Sequence, residues 1–307
     1  MINYNRIIKY IKHPSKFFIK LDEKGIFRLP DKLFIKLQFY NKMGYKLDLK
    51  NPKTFNEKLQ WLKLYDRNPI YTTMVDKYEA KKYVGDIIGD EYIIPTIGIY
   101  NSFDEINFDE LPKKFVMKCT HDSGGIVICK DKANFDIEAA REKINKSLKT
   151  NYYWVWREWQ YKNVKPRIII EKYMEDKETK ELRDYKFFCF NGEVKVFKID
   201  FDRFINHKAN YFDKNKKLLR FGENICPPDF NRKLEMPYNI DKMIELAEQL
   251  SKDKPFIRID FYEMNKKIYF GELTFCPAAG IGSFEPEEWD YKLGQFIKLP
   301  EKNKKKK

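Results

Sequence analysis

Two periods of apolar spacing run along the chain, one helical and one of strand type. In "TFNEKLQWLKLYDR" the spacing of Phe55, Leu59 and Leu62 lines one helical face, behind a capping box in which Thr54 and Glu57 satisfy each other's backbone amides. A second helix is predicted across "VDKYEAKKYVGDII", stopped near Gly85 or Gly89. A third runs through Ile137, Ala140, Ile144 and Leu148 in "DIEAAREKINKSLKTN", with acids at its start. "EYIIPTIGIY" reads as an extended segment interrupted by Pro95. "KFVMKCTHDSGGIVICKD" reads as a hairpin, because the apolar runs Phe115 to Met117 and Ile126 to Cys129 flank turn formers. Next come the strand "PRIIIEKYM", a hairpin "DYKFFCFNGEVKVFKIDF" turning at Asn191-Gly192, the helix "DKMIELAEQLSK", and a last hairpin from Ile257 to Phe275 turning at Asn265-Lys266. The expected class is α+β, antiparallel sheets flanked by helices, without an internal repeat.

Composition bounds what such a chain can do. Its 307 residues, 43% of them hydrophobic, suffice for one large or two modest domains. Charged residues reach 35%, yet 25 Phe, 20 Tyr and 5 Trp supply the burial that disordered chains lack. The net charge of +14 favours polyanions, but it accompanies a general abundance of Lys, Ile, Asn, Tyr and Phe, and no nucleic-acid-binding signature is present. Cys119, Cys129, Cys189, Cys226 and Cys276 are widely spread, with no CxxC pair, so their spacing indicates neither a disulfide framework nor a zinc site and suits a reducing cytoplasm. His13, His121 and His207 form no HExxH. No apolar run approaches the roughly 20 residues that span a bilayer. The basic, amphipathic opening "MINYNRIIKYIKHPSKFFIKL" reads as a helical extension packed on the body, with an anionic membrane surface at the inner face of the membrane as its other seat. The ending "EKNKKKK" reads as a solvated tail.

Chemistry concentrates in "IRIDFYEMNKKIYFGELTFCPAAG". By period-two alternation Arg258 and Asp260 share a strand face, as do Glu272 and Thr274. Paired in a hairpin, the two acids would repel if buried unless a cation lay between them. Carboxylates with room for phosphate oxygens are how Mg²⁺ is commonly held, which makes Asp260 and Glu272 candidate metal ligands and Arg258 a bidentate phosphate donor. A surface hairpin with ordinary ion pairs is the other reading of the same residues. Lys118 ends a strand just before "CTHDSGG", where a Gly-containing turn can close over a polyphosphate. Glu171 ends "IIIE", and the linker behind it offers backbone groups to an adenine edge, with a strand-end ion pair as the alternative.

The order of these segments resembles the TupA-like ATP-grasp family of polysaccharide and teichuronopeptide biosynthesis. The resemblance rests on "FNEKLQWLKLYDR", "VDKYEAKKYV", "FVMKCTHDSGG", "IIIEKYM" followed by "RDYKFFCFNGEV", and "IRIDFYEMNKKIYFGELTFCPAAG" with "FEPEEWDYKLG", in the family's order from about Thr54 to about Gly294. It implies an ATP-grasp fold, two antiparallel-sheet subdomains clasping a nucleotide, behind a helical N-terminal extension over 1–72. The catalytic domain would cover 73–300, with a nucleotide-lid subdomain at about 113–171 and a metal-site subdomain at about 172–300, before a basic tail at 301–307. The implied activity is an ATP-dependent carboxylate–amine ligase that forms an amide through an acylphosphate. By similarity Lys118 and Lys186 would contact phosphates or the adenine side, Glu171 and the Tyr173 backbone would hold adenine, and Ser123, Gly124 and Gly125 would cover the phosphates. Asp260 and Glu272 would bind Mg²⁺, and Arg258 would face the transferred phosphoryl group. The partners would be a carboxylate-bearing saccharide or its precursor and an amine or amino acid, with no nucleic acid.

Two positions depart from that pattern. Thr274 stands where many ATP-grasp enzymes carry Asn two residues after the metal-binding Glu, and no Gly-rich Rossmann fingerprint opens the chain. A glycosyltransferase of the same pathway is the alternative function, but it wants a DxD-like motif beside a Rossmann-type strand, and none stands in that context. The run "NYYWVWREWQY", with Trp154, Trp156 and Trp159, reads as core or as a subunit contact rather than a sugar-stacking surface.

Overall fold

The computed structural model describes residues 14–176, 183–202 and 205–301. The first thirteen residues of the basic opening, part of the linker after Tyr173 and the basic tail beyond Glu301 lie outside the described residues. Helices α1 (Pro14–Glu23) and α2 (Asp31–Met43) lead to α3 (Phe55–Tyr65). The capping box forms as the sequence predicts: Thr54 Oγ1 accepts from the Glu57 amide at 3.1 Å, and the Glu57 carboxylate accepts from the Thr54 amide at 3.2 Å. The helix expected over Val75–Ile88 is divided into α4 (Ile70–Val75) and α5 (Glu79–Ile88). The Asp76 carboxylate accepts the Tyr78 and Glu79 amides at 2.9 and 3.3 Å, and so starts a new helix where one was to continue. Gly89, not Gly85, stops α5, because Gly89 takes a φ of 113° that side chains resist.

The strands β1 (Thr96–Tyr100), β2 (Phe115–Cys119), β3 (Ile126–Cys129) and β4 (Ile168–Lys172) form an antiparallel sheet ordered β1-β4-β2-β3. Helix α6 (Ile137–Leu148) packs Ala140 and Ile144 against Phe115, Met117, Ile168 and Ile170, whereas Ile137, expected on that face, is exposed. A short α7 (Tyr153–Trp156) precedes β4 in the chain.

The second sheet contains β5 (Asp184–Phe190), β6 (Glu193–Phe201), β7 (Lys208–Asp213) and β8 (Leu218–Leu219). After β9 (Gly222–Glu223) and α8 (Ile240–Ser251) it gains β10 (Phe256–Met264) and β11 (Lys267–Thr274), in the order β11-β10-β5-β6-β7-β8. β12 (Phe284–Glu285) pairs with β9, and α9 (Glu288–Phe296) follows it. Both predicted hairpin turns use left-handed backbone, with φ of 52° and 86° at Asn191 and Gly192 and of 50° and 59° at Asn265 and Lys266. Paired positive φ values give the turn twist that matches the strands.

Alternation gives this sheet two unlike faces. One carries Tyr185, Phe187, Phe197, Ile199, Ile257, Ile259, Phe261 and Leu273, covered by α8 and α5 through Met243, Ala247, Leu250 and Val84. The other is aromatic at one end only, where Phe188, Phe190, Tyr211 and Phe256 meet Phe55 and Leu59 of α3 and Leu293 of α9. Fully burying one such Phe stabilises by about 1.5–3 kcal/mol. Beyond the aromatic end, the same face turns to charge.

Candidate active site

The β10–β11 register places Arg258 opposite Thr274 and Asp260 opposite Glu272. Arg258 grips Asp260 through Nε and Nη2, each at 2.7 Å, and Nη2 also reaches Glu272 Oε1 at 2.8 Å and Thr274 Oγ1 at 3.1 Å. The two acids differ in burial: Asp260 is 2% exposed, whereas the Glu272 side chain is 52% exposed at the sheet edge. The cation between them belongs to the protein itself. Burial alone would raise the pKa of Asp260, but Arg258 and Lys186 hold its carboxyl below the usual range.

Across the next pair, Lys186 lies opposite Asp260 and contacts three acids, Asp260 at 3.2 Å and Asp184 and Asp200 at 3.3 Å each. Burial would lower its pKa, yet these carboxylates raise it, Asp260 most. Lys198, opposite Lys186, pairs with Glu223 at 3.2 Å. Five carboxylates (Asp184, Asp200, Glu223, Asp260, Glu272) thus stand among three cations (Lys186, Lys198, Arg258). An excess of oxygen donors with one partly open acid at the rim fits a hard divalent cation.

The other sheet contributes Lys118 and Glu171, which alternation brings to one face of β2 and β4, with Nζ 2.6 Å from Oε2. Lys81 of α5 also pairs with Glu171 and donates to the Ile94 carbonyl at 2.6 Å. Burial would raise the Glu171 pKa, but Lys118 and Lys81 hold it below its ordinary value. In the turn that follows β2, Ser123 and Gly124 are exposed and Gly125 is buried. The Gly125 amide is already taken by both Asp122 oxygens at 3.1 Å, so among the three turn residues Ser123 and Gly124 face outward. A Cβ at Gly125 would run into Ser147 Oγ and the Cys119 side chain. His121 Nε2 lies 3.1 Å from the Ser147 and Thr150 carbonyls, which ties the turn to the end of α6.

Lys77 joins the two halves. Its Nζ donates to the Asp122 carbonyl, and its charge interacts with Asp122, Glu272 and Lys118. Burial lowers its pKa, while Asp122 and Glu272 work against that shift. Burial raises the Tyr161 pKa well above its ordinary value, and the charges of Glu158 and Glu272 add to the rise, which puts the 152–161 segment near the Glu272 hairpin. Within that segment Arg157 is buried against Asp22 at 2.7 Å and stacks 4.1 Å from the Phe34 ring, while the three Trp side chains are only half-buried. Glu158 is buried with Gln160 at 3.2 Å, and burial pushes its carboxyl up to about 7, with Lys63 opposing and Glu272 adding to the rise. Tyr173 is half-buried, its ring 5.6 Å from Lys114 Nζ. A cavity of about 490 Å³ opens elsewhere, at the tip of the last hairpin beside Asp176, Arg183 and Asn265.

Sequence reasoning missed Lys77, Lys81, Asp184, Lys198, Asp200, Glu223 and Glu158. Lys77 and Lys81 stand four apart inside "VDKYEAKKYV", and Asp184 and Asp200 share the parity of Lys186 and Lys198, so a period-two reading of "DYKFF" and "FKIDF" carried the signal. Glu158 and Glu223 carried none.

The family described as TupA-like ATPgrasp matches residues 57–298, most of the chain. The chain belongs to the TupA-like ATP-grasp family. Membership makes it an ATP-grasp enzyme. No curated protein matches the chain. Among solved structures it is similar to a D-alanine–D-alanine ligase from Helicobacter pylori, with 14% identity, 80% of this chain and 69% of that one covered, and a TM-score of 0.39. The same ligase from Bacillus anthracis, complexed with ATP, gives 16% identity, 73% and 63% coverage and a TM-score of 0.40. A biotin carboxylase from Campylobacter jejuni gives 14%, 80% and 49%, and 0.39. The TupA-like chain described here has no helix among its described residues long and apolar enough to cross a membrane.

Proposed function

We propose that the protein joins a carboxylate to an amine at the expense of ATP, and that the carboxylate belongs to a cell-surface polysaccharide of capsular or teichuronic type, or to its precursor. The observation that carries this reading is the Arg258–Asp260–Glu272 constellation, facing the Lys118–Glu171 pair across Lys77 in a member of this family. Asp260 and Glu272 would hold Mg²⁺, with Thr274 beside them as a weaker oxygen donor. Bound there, the ion supplies charge neutralisation on phosphate oxygens.

The remaining roles follow from the side chains. Phosphoryl transfer to a carboxylate spreads negative charge over non-bridging oxygens, and fixed cations stabilise that charge without a protein nucleophile. Arg258 is oriented in advance by three oxygen-bearing side chains, so little ordering remains for it during reaction. Lys118 is aligned by Glu171, which keeps its charge at the lid face, and Ser123 and Gly124 offer the turn's outward groups to phosphate. Lys186, enclosed by three carboxylates, acts on the nucleotide side through its charge. Glu171 and the Tyr173 backbone would border adenine.

Purified protein incubated with Mg-ATP and a panel of uronic acids, amino acids and amines tests the proposal. A product equal in mass to one pair less water, together with ADP and phosphate, supports it. Absence of such a product with every pair, combined with stabilisation by nucleotide sugars rather than ATP, would reject it in favour of a glycosyltransferase.

A further inference from the structure

Three side chains far apart in sequence converge beside the charged face. Asp200 at the end of β6, His207 just before β7 and Cys226 beyond β9 each bring one ligand atom within 4.8 Å of the others. Asp200 and Cys226 are buried and His207 is half-buried, which leaves one side open. Backbone bonds set this meeting: the Cys226 amide donates to the Glu223 carbonyl at 3.0 Å, and the Ala209 amide reaches the Pro227 carbonyl at 3.4 Å, pinning the Cys226 loop along the start of β7.

Two of these atoms lack hydrogen-bond partners. Asp200 Oδ1 and His207 Nε2 are both buried and make no hydrogen bond, Asp200 Oδ1 having only the Lys198 ammonium 3.6 Å away, whereas buried polar atoms are normally satisfied. His207 Nε2 lies 3.5 Å from Asp200 Oδ2, at the limit of hydrogen-bond reach. That separation suits two ligands of one tetrahedral ion, whose bonds of about 2.1 Å put neighbouring ligand atoms about 3.4 Å apart. Lys186 and Lys198 lie 3.3 and 3.6 Å from Asp200, but each has other counter-ions, Lys198 in Glu223 and Lys186 in Asp184 and Asp260, which frees Asp200 to serve a metal. With Asp200 ionised and Cys226 as thiolate, the ligand charges match a divalent ion, whose binding must displace the proton that burial holds on the Cys226 thiol.

We propose that Asp200, His207 and Cys226 form a second metal site, distinct from the Asp260–Glu272 pair, that takes a borderline-soft divalent ion such as Zn²⁺. Imidazole nitrogen and thiolate sulfur select against Mg²⁺, which prefers oxygen. The fourth coordination position is open toward the half-exposed side of His207. Binding ties three chain segments together and holds Asp200 at the flank of Lys186, so the site braces the charged face from outside the proposed phosphate region.

Spacing alone gave no sign of this site. The three ligands stand at no motif interval, and the five cysteines taken as a set point away from zinc.

Titration of the reduced, metal-stripped full chain with Co²⁺ tests the proposal, because thiolate coordination adds a sulfur-to-cobalt charge-transfer band that oxygen sites lack. The expected result is a band saturating at one equivalent, displaced by Zn²⁺, abolished in Cys226→Ser, weakened at least tenfold in apparent affinity in His207→Ala, and retained in Asp260→Asn. Circular dichroism on each variant confirms that it remains folded. No band in the wild type, a band that survives Cys226→Ser, or affinity unchanged in His207→Ala would each overturn the assignment.

Discussion

The two faces of the six-stranded sheet come from the same strands and do opposite work. On the face under α8, Phe187, Phe197, Ile257, Ile259 and Phe261 are all fully buried, and nothing there interrupts the apolar surface. On the other face the alternate residues of the same strands are Lys186, Lys198, Arg258 and Asp260. A two-residue period lets one face commit to burial while its reverse carries charge, so stability and chemistry are separated by the thickness of a single sheet. Where α3 and α9 cover the second face it is aromatic, and beyond them, toward Glu272 and Tyr161, it is ionic.

Substitutions should sort by face. Asp260→Asn should cut ATP turnover about a hundredfold or more, by analogy with the loss of one preorganised electrostatic group, while costing about 1–3 kcal/mol of stability. Phe187→Ala, one residue from Lys186 but on the opposite face, should cost about 3–5 kcal/mol in urea denaturation and leave the turnover of the folded fraction near normal. Reversed outcomes for this pair would dissolve the contrast between faces. Glu272→Gln sharpens it: the side chain is half exposed, so stability should stay within about 1 kcal/mol of the wild type while Mg²⁺-dependent turnover falls as far as in Asp260→Asn.

A smaller effect is expected at the turn after β2, where Gly125→Ala should destabilise by about 1–3 kcal/mol because the new methyl meets Ser147 and Cys119. The smallest effects separate two buried glutamates by pH. The Glu171 carboxyl is held below its ordinary 4.5, so its contribution is complete above that pH and is lost as the pH falls toward the folded-state value. The stability advantage of wild type over Glu171→Gln should therefore shrink on acidification below 4.5. Glu158 has the opposite sign: raised from 4.5 to about 7, it keeps a proton that the unfolded chain releases, and wild-type stability falls as pH rises through that window. Glu158→Gln should match the wild type near pH 4 and gain on it up to pH 7. Thermal melts across pH check both, and a common sign would show that one of these environments is misassigned.

Much of the fold was legible in the chain because its signals are local. The Thr54 capping box, the Asn191-Gly192 and Asn265-Lys266 turns and the hairpin through Phe115 and Ile126 each depend on residues that touch within a few positions. The break at Asp76 was less legible, since Asp at a helix start and Asp within a helix read alike until the side chain is seen to cap. The Arg258–Asp260–Glu272–Thr274 face was readable for the same local reason, being one hairpin with a known period.

Local order along the chain settles which residues alternate, where the turns fall, and that one strand face must carry charge, because these follow from backbone geometry over a few residues. Which charges meet is set by long-range packing alone. Lys77 stands between the turn and Glu272, Glu158 is buried behind the same acid, and Asp200, His207 and Cys226 converge, because packing brings distant segments together with no trace in their spacing.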